Sequence, residues 1–189
     1  KVIIEGTPSK IVATKSNGGA LTAISGNAES YTAHLLPEGP VFTLGAISTT
    51  SSNSDTAAGA SSTITATFNI QVTATGDDVY IPATGAFQIN ESSGGTALTQ
   101  ISYTKPTGTD DARKDFGSGD VACYKVPQDS TATFVVNATK TGLTGYNYLY
   151  VTQVGWGIYE GTNNADFSTK TSTYMADGAD WKSETKFLQ

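Results

Sequence analysis

Cysteine, histidine and methionine each occur once in this 189-residue chain. The lone Cys123 cannot close an internal disulfide, and the lone His34 cannot build a multi-histidine metal site. Charge is scarce as well. Asp, Glu, Lys and Arg make up 15% of the residues, against roughly 25% in an average soluble domain. The balance is acidic, at −6 net, which argues against a nucleic-acid partner because that requires a basic patch. No apolar run approaches the ~18 residues of a membrane-spanning helix. Absent too are a Gly-x-Ser-x-Gly nucleophile elbow, a phosphate-cradling Gly-x-x-x-x-Gly-Lys-Ser/Thr loop and a dinucleotide fingerprint.

These gaps bear on chemistry. A catalytic histidine needs a nucleophile or an orienting acid beside it. His34 lies in the alternating stretch Tyr31 to Leu36 with neither marked out, and reads as a strand residue. Cys123, flanked by Val121 and Val126, reads as a buried, inert thiol. The acids are scattered rather than paired as a glycosidase requires. The expectation is a protein that is not an enzyme and needs no cofactor.

What the chain does contain is small and polar: Thr and Ser number 48 and Gly 20. That composition, with Lys and Arg sparse, points to a secreted protein at a cell surface. The chain opens on Lys1 with no Met before it, which fits removal of a leader. Two sequons, at Asn90 and Asn137, are candidate glycosylation sites.

The dominant pattern is alternation with period two. From Ser61 to Thr75 the alternation is clearest: Ile64, Ala66, Phe68, Ile70, Val72 and Ala74 fall on one face, and Thr, Asn and Gln fall on the other. β-Branched residues suit both sides of a pleated sheet, so this is a half-buried strand. Ser130 to Thr139 reads as a second strand and Tyr146 to Trp156 as a third. Shorter strands are expected at 2–5, 10–15, 20–25, 31–36, 41–48, 79–81, 86–90, 97–104, 121–126 and 185–188. Turn residues divide them, among them Gly76-Asp77-Asp78 and Ser93-Gly94-Gly95. Ser51 to Ala60 and Lys105 to Asp120 read as long loops.

Many short strands at this spacing predict an all-β, two-sheet antiparallel sandwich of Greek-key or jelly-roll type. The expected core is Phe68, Ile70, Val72, Phe134, Val136, Leu149 and Val151, with Trp181 over one end. One domain spans 1–189, because the first fifty residues carry too little apolar surface for a core of their own. Thr65-Ala66-Thr67-Phe68 recurs as Thr131-Ala132-Thr133-Phe134. If that is a true repeat, the two strands occupy equivalent places in two packed sheets; the alternative is coincidence in a Thr-rich chain.

Three candidate sites follow. Asp77, Asp78, Asp110 and Asp111 sit in Gly-rich turns and are candidate calcium ligands, since Ca²⁺ takes six to eight oxygens; solvated turn acids are the competing account. Tyr146, Tyr148, Tyr150 and Trp156 fall on one face of one strand. Exposed, they form a platform for stacking sugar rings; buried, they are core or subunit interface. At the N-terminus Val2, Ile3 and Ile4 form a short apolar strand, and the segment of about 1–15 is a candidate for donation to a neighbouring copy. Strand addition uses backbone hydrogen bonds for affinity, and head-to-tail donation builds a filament unless symmetry closes it.

The run from Ala66 to Pro82, ATFNIQVTATGDDVYIP, resembles a pattern in uncharacterised secreted surface proteins of small-genome candidate-phylum bacteria. In those chains a TFxxxVTAxGxDxYIP strand pair precedes a second alternating strand and an LxxVxWG-like stretch. Thr133 to Val136 and Leu149 to Gly157 occupy those places here. The similarity spans roughly residues 60–160, and the first forty have no counterpart in it. It implies a secreted β-sandwich module, and that family has no catalytic residues to transfer.

The combined expectation is a secreted structural subunit that assembles with copies of itself into an extracellular filament or surface layer. Its charge-poor strands offer little resistance to edge-to-edge association. The alternative is a monomeric adhesin or carbohydrate-binding module that uses the aromatic strand face and takes glycans as partners.

Overall fold

Branching at Cβ crowds a helix and suits a pleated sheet, and this chain follows that preference throughout. The computed structural model describes residues 3–5, 27–29, 38–53, 61–159, 167–173 and 180–189, and every regular element among them is a strand. The chain divides into two units, Lys1–Leu36 and Pro37–Gln189. In the first, β1 (Ile3–Glu5) pairs antiparallel with β2 (Asn27–Glu29), setting Ile3 opposite Glu29 and Glu5 opposite Asn27. Val2, His34 and the strands expected at 10–15, 20–25 and 31–36 lie outside the described residues.

The second unit contributes β3 (Gly39–Ser52), β4 (Thr63–Thr75), β5 (Val79–Pro82), β6 (Phe87–Glu91), β7 (Ile101–Ser102), β8 (Asp110–Asp115), β9 (Asp120–Val126), β10 (Thr131–Thr141), β11 (Gly145–Asn147), β12 (Leu149–Tyr159), β13 (Phe167–Ser172) and β14 (Lys186–Leu188). One sheet runs β3-β4-β10-β7. The other runs β13-β12-β5-β9-β8, with β6 also paired to β12. A separate ribbon joins β11 to β14. Every pairing is antiparallel. The two sheets enclose one hydrophobic cluster, so the fold is an all-β sandwich.

β4 is the spine of the first sheet. Its six apolar residues from Ile64 to Ala74 are fully buried, while the intervening Thr, Asn and Gln are partly or wholly exposed. β10 repeats the pattern with Ala132, Phe134, Val136 and Ala138 inside. All seven core residues expected from the alternation are buried. The threonines are used on the outer face. Thr65 meets Thr139 at 3.1 Å, Thr73 meets Thr131 at 2.8 Å, and Thr67 donates to Asn137 at 2.7 Å. Such cross-strand pairs contribute roughly 0.2–1 kcal/mol each, which gives the Thr-rich composition a structural use.

The structure corrects the reading of the repeat. The two Thr-Ala-Thr-Phe segments are not in opposite sheets: β4 and β10 are antiparallel neighbours in one sheet, with Phe134 opposite Ile70. The shared sequence reflects a shared need for one buried and one hydroxyl-bearing face. The loop expected at 105–120 instead contains β8. Its sequence DDARKD hides it from an apolar pattern, because an outer strand carries charge where an inner one carries valine. β13, likewise an outer strand, and the short β2 were also not anticipated. The loop expected at 51–60 gives its first two residues to β3, and 54–60 lie outside the described residues.

Candidate functional site

The four aromatic residues expected on one strand face do not share it. A register shift between Val151 and Gln153, where β12 runs against β6, inserts an extra residue and reverses the alternation. Leu149 and Val151 face the core before the shift, and Val154, Trp156 and Ile158 face it afterwards. Trp156 is therefore 3% exposed, its indole N–H donating to the Ser172 hydroxyl at 3.0 Å. Tyr148 and Tyr150 remain half-buried with ring centroids 5.8 Å apart, and Lys182 lies 5.3 Å from the Tyr148 ring. Tyr146 belongs to the separate ribbon, where it is 77% exposed and packs 5.1 Å from Phe187.

The acidic candidates are answered by lysines and backbone amides. Asp78 accepts from Lys125 at 3.1 Å and from the Gln128 amide at 2.8 Å, and Asp110 lies 3.7 Å from the same lysine. The hydrogen bond that Lys125 donates to Asp78 raises the lysine's pKa against the opposing effect of burial. Asp77 accepts from the Asp78 amide at 2.6 Å, and Asp111 pairs with Lys105 at 2.7 Å. Among the described residues, no three His, Cys, Asp or Glu side chains are grouped to hold a metal ion.

Both sequon asparagines are engaged. Asn90 donates its amide to the Gly95 carbonyl at 2.6 Å, and Asn137 accepts from Thr67. Cys123 is buried, and that burial pushes its thiol pKa up against the pull of Lys114 and Arg113. Trp181 is buried in the core cluster, and its carbonyl accepts the Val151 amide at 2.9 Å. Of the N-terminal candidates, Ile3 and Ile4 pair with Glu29 and Ala28 of the same chain.

The two sheets differ sharply in charge. Across β3, β4 and β10 the single charged residue is Lys140, which sits opposite the buried Ile64 and so on the inner side. The outer face presents threonine, serine, asparagine and glutamine, with Val41 54% and Val135 45% exposed. β3 ends this sheet among the described residues, fourteen residues long and without one charge. The other sheet ends in β8, which carries Asp110, Asp111, Arg113, Lys114 and Asp115.

A cluster that sequence reasoning missed lies on the outer face of the second sheet. Val79 and Ile81 of β5 face the core, so Tyr80 between them faces away. It is nonetheless only 6% exposed. Tyr159 and Phe167 cover it edge-on, with centroids 5.7 and 5.6 Å away. Lys114 lies 5.0 Å from the Tyr80 ring and 4.6 Å from the Tyr159 ring, and donates to the Tyr159 hydroxyl. Burial, then the nearby Asp78 carboxylate, raises the Tyr80 pKa to about 12. Phe116 adds a further edge contact to Phe167 at 5.4 Å. Beside the cluster opens a cleft of about 620 Å³, lined by Arg113, Lys114, Asp115, Gly117, Asp120, Tyr159, Phe167 and Thr169.

Gly157 makes this cluster possible. A Cβ there would stand 2.2 Å from the Phe167 ring, so the ring lies directly over the bare backbone of β12. Gly157→Ala should displace Phe167 and lose about 1 kcal/mol, the lower end of the range for overfilling a packed site. In denaturant titrations, Gly157→Ala should have no further effect once Phe167→Ala has removed the clash. Additive losses would place the cost elsewhere.

No protein-family model, curated protein or solved structure matches the chain. Among the described residues, no helix is long and apolar enough to cross a membrane.

Proposed function

We propose that this chain is a secreted structural subunit that associates with copies of itself into an extracellular filament or surface layer, and that the first sheet is its contact surface. The observation that carries the reading is the absence of charge across β3 and the outward face of β4 and β10. Soluble sheet proteins ordinarily protect an outer strand with charge, a bulge or a short length. β8 has the charge. β3 is long and uncharged, and the devices it carries are Pro40 at its start and a register shift between Leu44 and Ile47. Exposed Val41 and Val135 add apolar area to the same surface. The resemblance of residues 60–160 to secreted surface modules agrees with this reading.

Addition of a strand to β3 also differs from simple donation of the N-terminus, since Ile3–Glu5 already has a partner in Asn27–Glu29. The reading is tested with the double variant Thr43→Lys, Thr50→Lys. Both residues are exposed on β3, opposite Gln71 and Thr65 on the outward face of β4. The natural chain should form oligomers or filaments in sedimentation and electron microscopy. The variant should remain dispersed at an unchanged melting temperature. A natural chain that stays monomeric at high concentration, or a variant that assembles equally well, defeats the proposal.

A further inference from the structure

The cleft beside Lys114 combines two chemistries where the β8–β9 turn lies beside β12 and β13. One wall is aromatic: Phe167 and Tyr159, both partly exposed and held in place by Tyr80 and Phe116. The other is polar and electrically balanced, with Arg113 and Lys114 against Asp115 and Asp120. The polar wall is also anchored. The Arg113 guanidinium donates to the Asp120 carbonyl at 2.7 Å. One oxygen of Asp115 accepts from the amides of Gly117 and Gly119 at 2.7 and 2.9 Å. These bonds fix the β8–β9 turn while leaving capacity unused. The Asp120 carboxylate makes no hydrogen bond within the described residues. Arg113 retains further N–H groups, and Lys114 has three donors of which Tyr159 takes one.

We propose that this cleft binds a neutral saccharide, with one sugar ring against Phe167 and its hydroxyls bonded to Asp120, Arg113 and Lys114. A pyranose has an apolar C–H face and a rim of hydroxyls that both donate and accept. The first matches an aromatic ring, and the second matches the carboxylate and guanidinium groups that line the cleft. Charge sets the class. An acidic ligand would meet Asp115 and Asp120, and a basic one would meet Arg113 and Lys114. A volume of about 620 Å³ lies within the ordinary range for small-ligand sites and has room for more than one sugar unit. The site is on the charged sheet, away from the uncharged surface assigned to assembly, so neither proposal depends on the other.

The test is an amide-resolved NMR titration of the whole chain with maltotriose, cellotriose and chitotriose at millimolar concentration. At least one should shift amides of residues 113–120, 159 and 167–169 in a saturable way. Phe167→Ala should weaken that binding by about tenfold or more, a difference near 1.4 kcal/mol. Asp120→Asn serves as the second variant, since its side chain is exposed and has no hydrogen-bond partner among the described residues, and the fold is expected to persist. No saturable shift with any of the three sugars, shifts confined to other strands, or full binding by both variants overturns the proposal.

Discussion

Phe134→Ala should lose about 3–5 kcal/mol of folding stability, the largest effect expected of any single truncation in the core. Phe134 is fully buried on the inner face of β10, and its ring bridges the two sheets. It lies 5.6 Å from Phe87 of β6 and 6.3 Å from both Tyr103 and Tyr124. Those partners are themselves held. The Tyr103 hydroxyl donates to the Pro82 carbonyl at 2.7 Å and accepts the Ala86 amide at 3.0 Å. Neighbours fixed in this way cannot collapse into the space left by a missing ring, so the cavity cost adds to the lost transfer energy. Val135→Ala, one residue along on the exposed face, should change stability by less than about 0.5 kcal/mol. Denaturant midpoints measured at constant slope make the comparison. Equal losses at the two positions would mean that β10 does not lie between a core and a solvent face.

How much of this was legible beforehand follows from the range of the interactions involved. β4 and β10 could be read because burial on one face leaves a local imprint, a residue of one kind at every second position. The same logic placed Phe68, Phe134 and Val151 in the core. It failed at Trp156, since a single inserted residue near Val151 flips every side chain after it and nothing in the local sequence marks the insertion. It failed again at β8, whose charges belong to its position at the end of a sheet. The Lys114 cluster was beyond reach for a different reason. Tyr80, Lys114, Tyr159 and Phe167 come from four strands, and only the sheet order makes them neighbours. Gly157 was the available signal. A glycine in a strand that is otherwise large and apolar marks a place where another group must approach the backbone closely.

Glu91→Gln should lose about 2 kcal/mol at neutral pH, and that deficit should vanish in acid. Glu91 ends β6 with its side chain buried, opposite Leu149 of β12. Its carboxylate folds back over the following turn. One oxygen accepts from the Ser93 amide and the Ser93 hydroxyl, both at 2.6 Å, and the Gly94 amide approaches the two oxygens at 3.0 and 3.1 Å. Gly95, at φ +63°, closes the turn by donating to the Glu91 carbonyl at 3.1 Å. Burial alone would raise the pKa of this acid. The hydrogen bonds from Ser93 and Gly94 outweigh it and hold the group below its ordinary value of 4.5. A folded-state pKa below the unfolded one means that the unfolded chain binds more protons in that window. The stabilisation is therefore complete above about pH 4.5 and is lost as the pH falls through the lowered folded value. Glutamine keeps the shape and one acceptor but has no proton to take up. Unfolding curves for the two chains should thus converge as the solution is acidified through that lowered folded value. A deficit that stays constant across that range would show that Glu91 contributes through packing alone, and that the turn does not depend on its charge.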